Sequence, residues 1–388
     1  MLPLLLGAIV LAPPYWLLVP ARYHRTAITV ASLAALAACD RRLLGLVLGV
    51  AAALFGLTQA IGGAEPRRAR TLTATGLAAL VALFAWNKLS APGHGVLPSQ
   101  SGIVLVGVSY LVLRAAAVLF DSLQGTLGDA GFGELLAWIA FLPTYPAGPI
   151  EEFQHFRGQH ASFEGARMLR GLERILFGLV KALLLGHYVG EWAGSVMSEP
   201  AAHERATLLL GLYAFTLRFY LDFAGYSDVA IGLGALFGYE IEENFDRPLV
   251  QRNLVLLWQR WHMTLTRWLR TYVFIPLSRS LMRREWGERT SVAAGQVGAM
   301  ALCGLWHGIG WNFLVWGLWQ ACGLVWTGIA ARELGSRLPP GVVSWWRTSR
   351  LANALSTFLT FNVFALSLAF VYSDLRSGVA YLFQLLAP

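Results

Sequence analysis

Long apolar stretches alternate with short polar turns along nearly the whole chain. Leu43 to Ala64 carries no charged residue, and neither do Thr290 to Ala331 or Leu351 to Ser373. Thr71 to Asn87 and Leu89 to Leu113 add two more uncharged stretches. A helix needs about 20 apolar residues to cross the hydrocarbon core of a bilayer. The pattern predicts roughly ten or eleven membrane-embedded helices, some too short or too polar to span fully.

The pattern is not uniform. Met1 to about Leu119 reads as plain hydrophobic helices joined by Arg-rich turns. Phe141-Leu-Pro-Thr-Tyr-Pro-Ala-Gly-Pro-Ile150 then packs three prolines into an apolar setting. Proline removes a backbone donor and breaks helices. Such backbone survives at membrane depth only under protein or beside a water-filled cavity, which predicts a re-entrant or interfacial loop. The polar stretch from Glu151 to Arg170 leaves the membrane. Asn253 to Tyr272 reads as one basic, Trp-rich amphipathic helix. Arg252, Arg260 and Arg267 fall on one face, and Trp258, Trp261, Leu265 and Trp268 on another, which suits a membrane interface. From Leu351 onward the chain reads as a long apolar helix, a polar turn at Ser373 to Arg376, and a final apolar helix.

Composition supports this pattern. Of 388 residues, 56% are hydrophobic and 13% charged, with mean hydropathy +0.55. A soluble domain averages about 25% charged residues, so the chain is an all-α polytopic membrane protein. No polar linker interrupts it, so one integral-membrane domain is expected over 1–388. Within it, 1–130 serves as scaffold, 131–330 as the core that carries chemistry, and 331–388 as carboxy-terminal helices. The net charge of +8 reflects basic loops and anionic lipid and does not imply a nucleic-acid partner. The distribution of Arg22, Arg25, Arg67, Arg68 and Arg70 against Arg41 and Arg42 puts the amino terminus outside. The first 20 residues lack a basic start and contain Pro13-Pro14, so they read as a retained membrane segment. Cys39, Cys303 and Cys322 lie in or beside apolar segments and suggest no disulfide framework.

Two histidines stand apart. His307 is the lone histidine in the uncharged run from Thr290 to Ala331, inside Cys303-Gly-Leu-Trp-His-Gly-Ile-Gly-Trp311. His262 follows Trp261 in the Trp/Arg-rich segment. An ionisable residue within membrane segments is read by default as functional. His24, His155, His160 and His203 fall in polar loops and receive no role. There is no His-Glu-x-x-His and no zinc-spaced Cys/His cluster, so no metal is expected. Gly225-Tyr-Ser-Asp-Val229 fails the serine-hydrolase elbow at its last position. Neither a dinucleotide fingerprint nor a Walker loop is present. What remains for His307 is a lone general base, or a hydrogen-bonded core histidine. Arg260 and Arg267 could hold lipid phosphates or those of a nucleotide-bearing donor. Asp222 and Asp228, near the bilayer, read as partners of arginines such as Arg218 or as helix caps.

Several strings together resemble the membrane-bound O-acyltransferase superfamily. They are Ala147-Gly-Pro-Ile150, Tyr220-Leu-Asp-Phe-Ala-Gly-Tyr-Ser-Asp-Val-Ala-Ile-Gly-Leu233, and Glu243-Asn-Phe-Asp-Arg-Pro248. They continue with Trp258-Gln-Arg-Trp-His-Met-Thr-Leu-Thr-Arg-Trp-Leu269, Tyr272-Val-Phe-Ile-Pro276, and Gly304-Leu-Trp-His-Gly-Ile-Gly-Trp311 through Trp316-Gly317. The bacterial branch holding the alginate O-acetyltransferase membrane subunit and the teichoic-acid D-alanyl transfer protein is the most similar.

The resemblance implies a ring of transmembrane and re-entrant helices around a central tunnel. It implies that His307 corresponds to the family's catalytic histidine and His262 to the second histidine of the branch. Arg260, Arg267, Trp258, Trp261, Trp306 and Trp311 would contact donor or substrate, while Asp222, Tyr226 and Asp228 shape the core. The reaction would move an acyl group, acetyl in the simplest case, onto a hydroxyl of an extracytoplasmic glycan or a secreted esterase-like relay protein. The donor would be a cytoplasmic thioester of coenzyme A or an acyl carrier protein, with no tightly bound cofactor. The setting would be the cell membrane, crossed many times. A transporter or flippase of a lipid-linked or acylated substrate, without covalent chemistry, is the competing reading, and a scaffold subunit a third. Three departures bear on the acceptor and relay. Arg270-Thr-Tyr272 stands for Arg-Asp-Tyr, Gln320-Ala321 for His-Gly, and Leu368-Ala-Phe-Val-Tyr372 for the usual final Trp-rich stretch.

Overall fold

The computed structural model describes residues 2–90 and 107–386. Part of the stretch expected over Leu89 to Leu113 therefore lies outside the described residues. Among those described, five helices are long and apolar enough to cross a membrane: Arg41–Gly62, Pro66–Leu89, Arg205–Leu236, Trp311–Arg337 and Arg350–Tyr372. The expectation of ten or eleven embedded helices resolves into these five plus shorter or more polar ones. The protein is a polytopic, all-helical membrane protein.

The chain forms two compact units, Met1–Val180 with Gly225–Glu243, and Lys181–Ala224 with Asn244–Pro388. The first unit contains α1 (Leu2–Leu18), α2 (His24–Cys39), α3 (Arg41–Gly62), α4 (Pro66–Leu89), α5 (Val108–Gln124), α6 (Phe132–Ile139), α7 (Phe153–Gly158) and α8 (Gly165–Leu179). Local chemistry sets the boundaries. The Asp40 carboxylate caps α3 by accepting from the Arg42 amide at 2.8 Å, and α4 opens on Pro66, whose missing N–H costs nothing at a first helical position. Apolar residues such as Val47, Leu54, Leu111, Val118, Leu135 and Ile139 fill the core.

Phe141 to Ile150 is not α-helical beyond one 3-10 turn at Leu142–Thr144, and Phe141, Thr144 and Tyr145 are buried. Trp138 ties this loop down, its indole N–H donating to the Glu151 carbonyl at 3.1 Å while the Arg114 guanidinium lies over the same ring at 4.7 Å. Two loop histidines without an assigned role prove to be structural. His24 is buried against Tyr15 and Trp16, with Nε2 2.9 Å from the Val19 carbonyl. His155 pairs through Nδ1 with the buried Glu151 carboxylate. Both contacts are local in sequence: His24 meets residues 15–19, and His155 meets Glu151 four positions earlier while staying half-buried.

The second unit contains α9 (Gly186–Ser198), preceded by a π-helical segment at Val180–Leu185, and α10 (Arg205–Leu236), whose residues 205–224 belong to it. It continues through α11 (Leu254–Trp258), α12 (Met263–Leu269), α13 (Ile275–Met282), α14 (Glu288–His307), α15 (Trp311–Arg337), α16 (Pro340–Thr348), α17 (Arg350–Ser367), α18 (Ala369–Tyr372) and α19 (Leu375–Leu386).

The single amphipathic helix expected over Asn253 to Tyr272 is broken. Asn253 caps α11 by accepting from the Leu256 amide at 2.9 Å, but the helix stops at Trp258. His262 adopts left-handed backbone, φ 43°, and α12 starts after it. The break separates Arg252 and Arg260 from Arg267, so the three do not share one helical face. Trp258, Trp261 and Trp268 are buried within the protein and are not laid out on a membrane surface. The cause is residues 244–246, which pair with the kink. The Met263 amide donates to the Asn244 carbonyl at 2.9 Å, and the Asp246 amide to the Arg260 carbonyl at 3.0 Å.

Candidate active site

The kink before α12 and the turn between α14 and α15 each present one histidine. His307 is the last residue of α14. The helix ends there because Gly308 turns extended, φ −168°, while its amide still reaches the Gly304 carbonyl at 3.2 Å. Three residues after Gly308 α15 begins at Trp311, and Asn312 anchors that start by donating from Nδ2 to the Phe370 and Ser373 carbonyls at 3.0 and 3.1 Å.

Trp306 is the common neighbour of both imidazoles. Its ring centroid lies 4.8 Å from that of His307 and 6.2 Å from that of His262. Trp316 meets His307 edge-on at 5.2 Å, and Phe223 meets His262 edge-on at 4.6 Å. His262 is 1% exposed, whereas His307 is half-buried. A half-buried ring between aromatic walls is held in a narrow range of orientations.

Asn244 orients His262. Its Oδ1 is 3.0 Å from Thr264 Oγ1, 3.4 Å from the Thr264 amide and 3.1 Å from His262 Nδ1. An amide N–H can donate only to the carboxamide oxygen, so the Asn244 side chain is fixed with Oδ1 toward the histidine. Nδ1 therefore carries the proton, and in the neutral ring the lone pair sits on Nε2. Sequence reading assigned Asn244 no role. Its signal was the Glu243-Asn-Phe-Asp-Arg-Pro248 string, but no spacing rule links it to a histidine 18 positions away.

The remaining candidates separate. Trp258 and Trp261 pack behind the histidines. Trp258 donates from Nε1 to Gln320 Oε1 at 3.2 Å, and Trp261 stacks on Phe219 at 5.6 Å. Gln320, at one of the departures from the family pattern, is fully buried and also donates to Ser367 Oγ at 2.8 Å, so the slot is filled and satisfied. Arg260 is engaged with the Asp246 carboxylate, both about half exposed, and Arg267 is half-buried. Trp311 is 73% exposed. Asp222 accepts from Arg218 Nε at 3.3 Å. Tyr226 and Asp228 belong to the other unit, where Asp228 is buried and accepts from Arg174 Nε at 2.7 Å. Among the described residues no group of three His, Cys, Asp or Glu side chains could hold a metal ion.

The family profile described as "MBOAT, membrane-bound O-acyltransferase family" matches residues 70–373, and the chain belongs to that family. It is 29% identical over 283 residues to the teichoic acid D-alanyltransferase of Streptococcus thermophilus, covering 69% of this chain and 68% of that protein. It is 30% identical over 220 residues to the probable alginate O-acetylase AlgI of Azotobacter vinelandii, covering 55% of this chain and 42% of that protein. The teichoic acid D-alanyltransferase of Bacillus subtilis is 29% identical over 261 residues, 63% of this chain and 65% of that protein.

Proposed function

We propose that the protein is a plasma-membrane O-acyltransferase that moves an acetyl group from a cytoplasmic thioester to a hydroxyl of an extracytoplasmic glycan or a secreted relay protein. The observation that carries this reading is the grouping of the half-buried His307 with His262 around Trp306. His307 takes the acceptor's proton as the hydroxyl oxygen attacks the thioester carbonyl. The new C–O bond forms, the C–S bond breaks, and the proton passes to the departing thiolate, so the step is balanced without any further reactant. His262, its Nδ1 tied to Asn244, keeps Nε2 unprotonated, so it acts as a hydrogen-bond acceptor that orients the site and not as a donor to the thioester carbonyl.

Coenzyme A or an acyl carrier protein supplies the thioester, with Arg267 and Arg260 as the basic groups for its phosphates; Arg260 would have to leave Asp246 to serve.

The test is acyl transfer by the purified full chain in lipid nanodiscs, using radiolabelled acetyl-coenzyme A and cell-envelope glycan. Label appearing on the glycan with wild type, and not with H307A, supports the reading. Uptake of substrate into sealed vesicles without any covalent product would replace it with a transporter.

A further inference from the structure

We propose that Arg218 and Asp222 are the recognition point for the hydroxyl-bearing acceptor, at the head of a saccharide groove between α9 and α10. This rests on the acyl-transfer reading above. The helix α10 has 32 residues, about 48 Å at 1.5 Å per residue, against a bilayer core of about 30 Å. Asp222 lies near its middle, so the pair sits at membrane depth.

Charged side chains at that depth face either packed protein or water, because lipid exposure is costly. Arg218 and Asp222 are 43% and 45% exposed, so packed protein does not enclose them. Their exposure points to a hydrated space beside them.

Two further features build a site there. The facing helix α9 presents Gly190 against Arg218 and Gly186 against Asp222, each so close that a Cβ would strike the charged side chain. Just before Gly186 the chain is π-helical, a local departure from α geometry that often marks functional sites. An open cavity of about 630 Å³ lies along the same two helices. Its walls include Tyr188, Trp192, Tyr213 and Leu217, joined by Leu249 and Phe361. Leu217 adjoins Arg218 in sequence, and the next residues on α10, Phe219 and Phe223, wall Trp261 and His262.

The chemistry selects the occupant. The pair is joined through Nε and Oδ2, and among the described residues its Nη groups and Oδ1 make no other hydrogen bond. It therefore offers donors and an acceptor side by side at no net charge, which suits vicinal hydroxyls. A multiply charged donor phosphate would meet the Asp222 carboxylate. Aromatic walls suit the apolar faces of sugar rings.

The experiment compares the full chain with R218M/D222L, in which apolar side chains replace the pair. Removing both partners of an ion pair in this way is often neutral or stabilising for the fold. Acceptor and donor KM are measured by initial rates. Affinity for a neutral hexose oligomer and a uronic-acid oligomer is measured by calorimetry with H307A, alone and combined with R218M/D222L. The expected result is at least a tenfold rise in acceptor KM and in Kd for one oligomer, with donor KM within twofold and an unchanged or higher thermal midpoint.

Unchanged acceptor constants overturn the proposal, as does a donor KM that moves instead. A lower thermal midpoint with all constants impaired together makes the pair a structural lock. No binding of either oligomer by H307A also overturns it. Should wild type transfer no acyl group, the acyl-transfer reading fails while the affinity measurements still decide the groove.

Discussion

Asn244 Oδ1 lies 3.1 Å from His262 Nδ1 and also accepts the Thr264 hydroxyl, so one carboxamide sets both the histidine's tautomer and the start of α12. His262 holds left-handed backbone, φ 43°, which costs a non-glycine residue about 1–2 kcal/mol and persists only where surrounding contacts impose it. N244A removes those contacts. Leaving buried donors unsatisfied costs about 1–3 kcal/mol, and each 1.4 kcal/mol of lost transition-state stabilisation is a factor of ten. N244A is expected to lower transfer roughly tenfold or more, with a lower thermal midpoint, measured by initial rates and by unfolding in detergent. Full activity in N244A would separate the carboxamide from the chemistry.

His307 and His262 should differ in kind. H307A removes the general base, worth about 10²–10⁴ in rate, and should leave a monodisperse, membrane-inserted protein. H262A removes a buried ring that packs on Phe223 and holds the kink, so it should lose both activity and stability. Size-exclusion profiles and transfer rates of the two variants distinguish them. An active H307A would place the base elsewhere.

The helical membrane character was legible because it depends on the chain's own apolar runs. His307 was legible as an ionisable group within an uncharged stretch, and it lies at the α14–α15 turn. The break at Gln259 to His262 was not legible. Trp258, Trp261, Leu265 and Trp268 keep a helical three-four-three spacing straight through it, and the cause is Asn244, distant in sequence. The burial of His24 against Tyr15 and Trp16 and the pairing of His155 with Glu151 are short-range contacts, and a reading of polar loops passed over them. The strings shared with the acyltransferase family included Asn244 without indicating its contact.

Helices α14 and α15 approach so closely that Gly304 and Gly317 nearly touch. A Cβ on Gly317 would strike the Met300 carbonyl oxygen, and one on Gly304 the Phe313 carbonyl oxygen. Small residues allow such approach between membrane helices. On an open helix surface Gly→Ala gains about 1 kcal/mol from propensity. Here the obstacle is backbone, which cannot rotate away, and overpacking costs about 1–3 kcal/mol. The clash outweighs the propensity. G317A is expected to lower the thermal midpoint and to reduce transfer by shifting His307 relative to Trp316. A stabilised, fully active G317A would show that the helices can part without consequence.

Stability should fall as pH rises, and the Glu151–His155 pair sets the sign. The hydrogen bond to the Glu151 carboxylate pushes the His155 pKa up, and burial pushes Glu151 up, its contact with His155 opposing that in part. Glu240 and Glu242 add negative charge near His155, while Arg114 acts on Glu151 in the opposite sense. A group whose folded pKa is raised contributes stability in full below its unfolded value and loses it as pH rises through the folded value. For His155 the loss begins above the ordinary value of 6.5, and for Glu151 above 4.5. The two therefore act in the same direction, though His155 is 36% exposed and solvent screening keeps its share small. Thermal midpoints of the detergent-solubilised protein should decline as pH is raised from neutral into the alkaline range, and H155Q should change that slope by removing the imidazole and its hold on Glu151. An H155Q slope equal to that of wild type would remove His155 from the linkage.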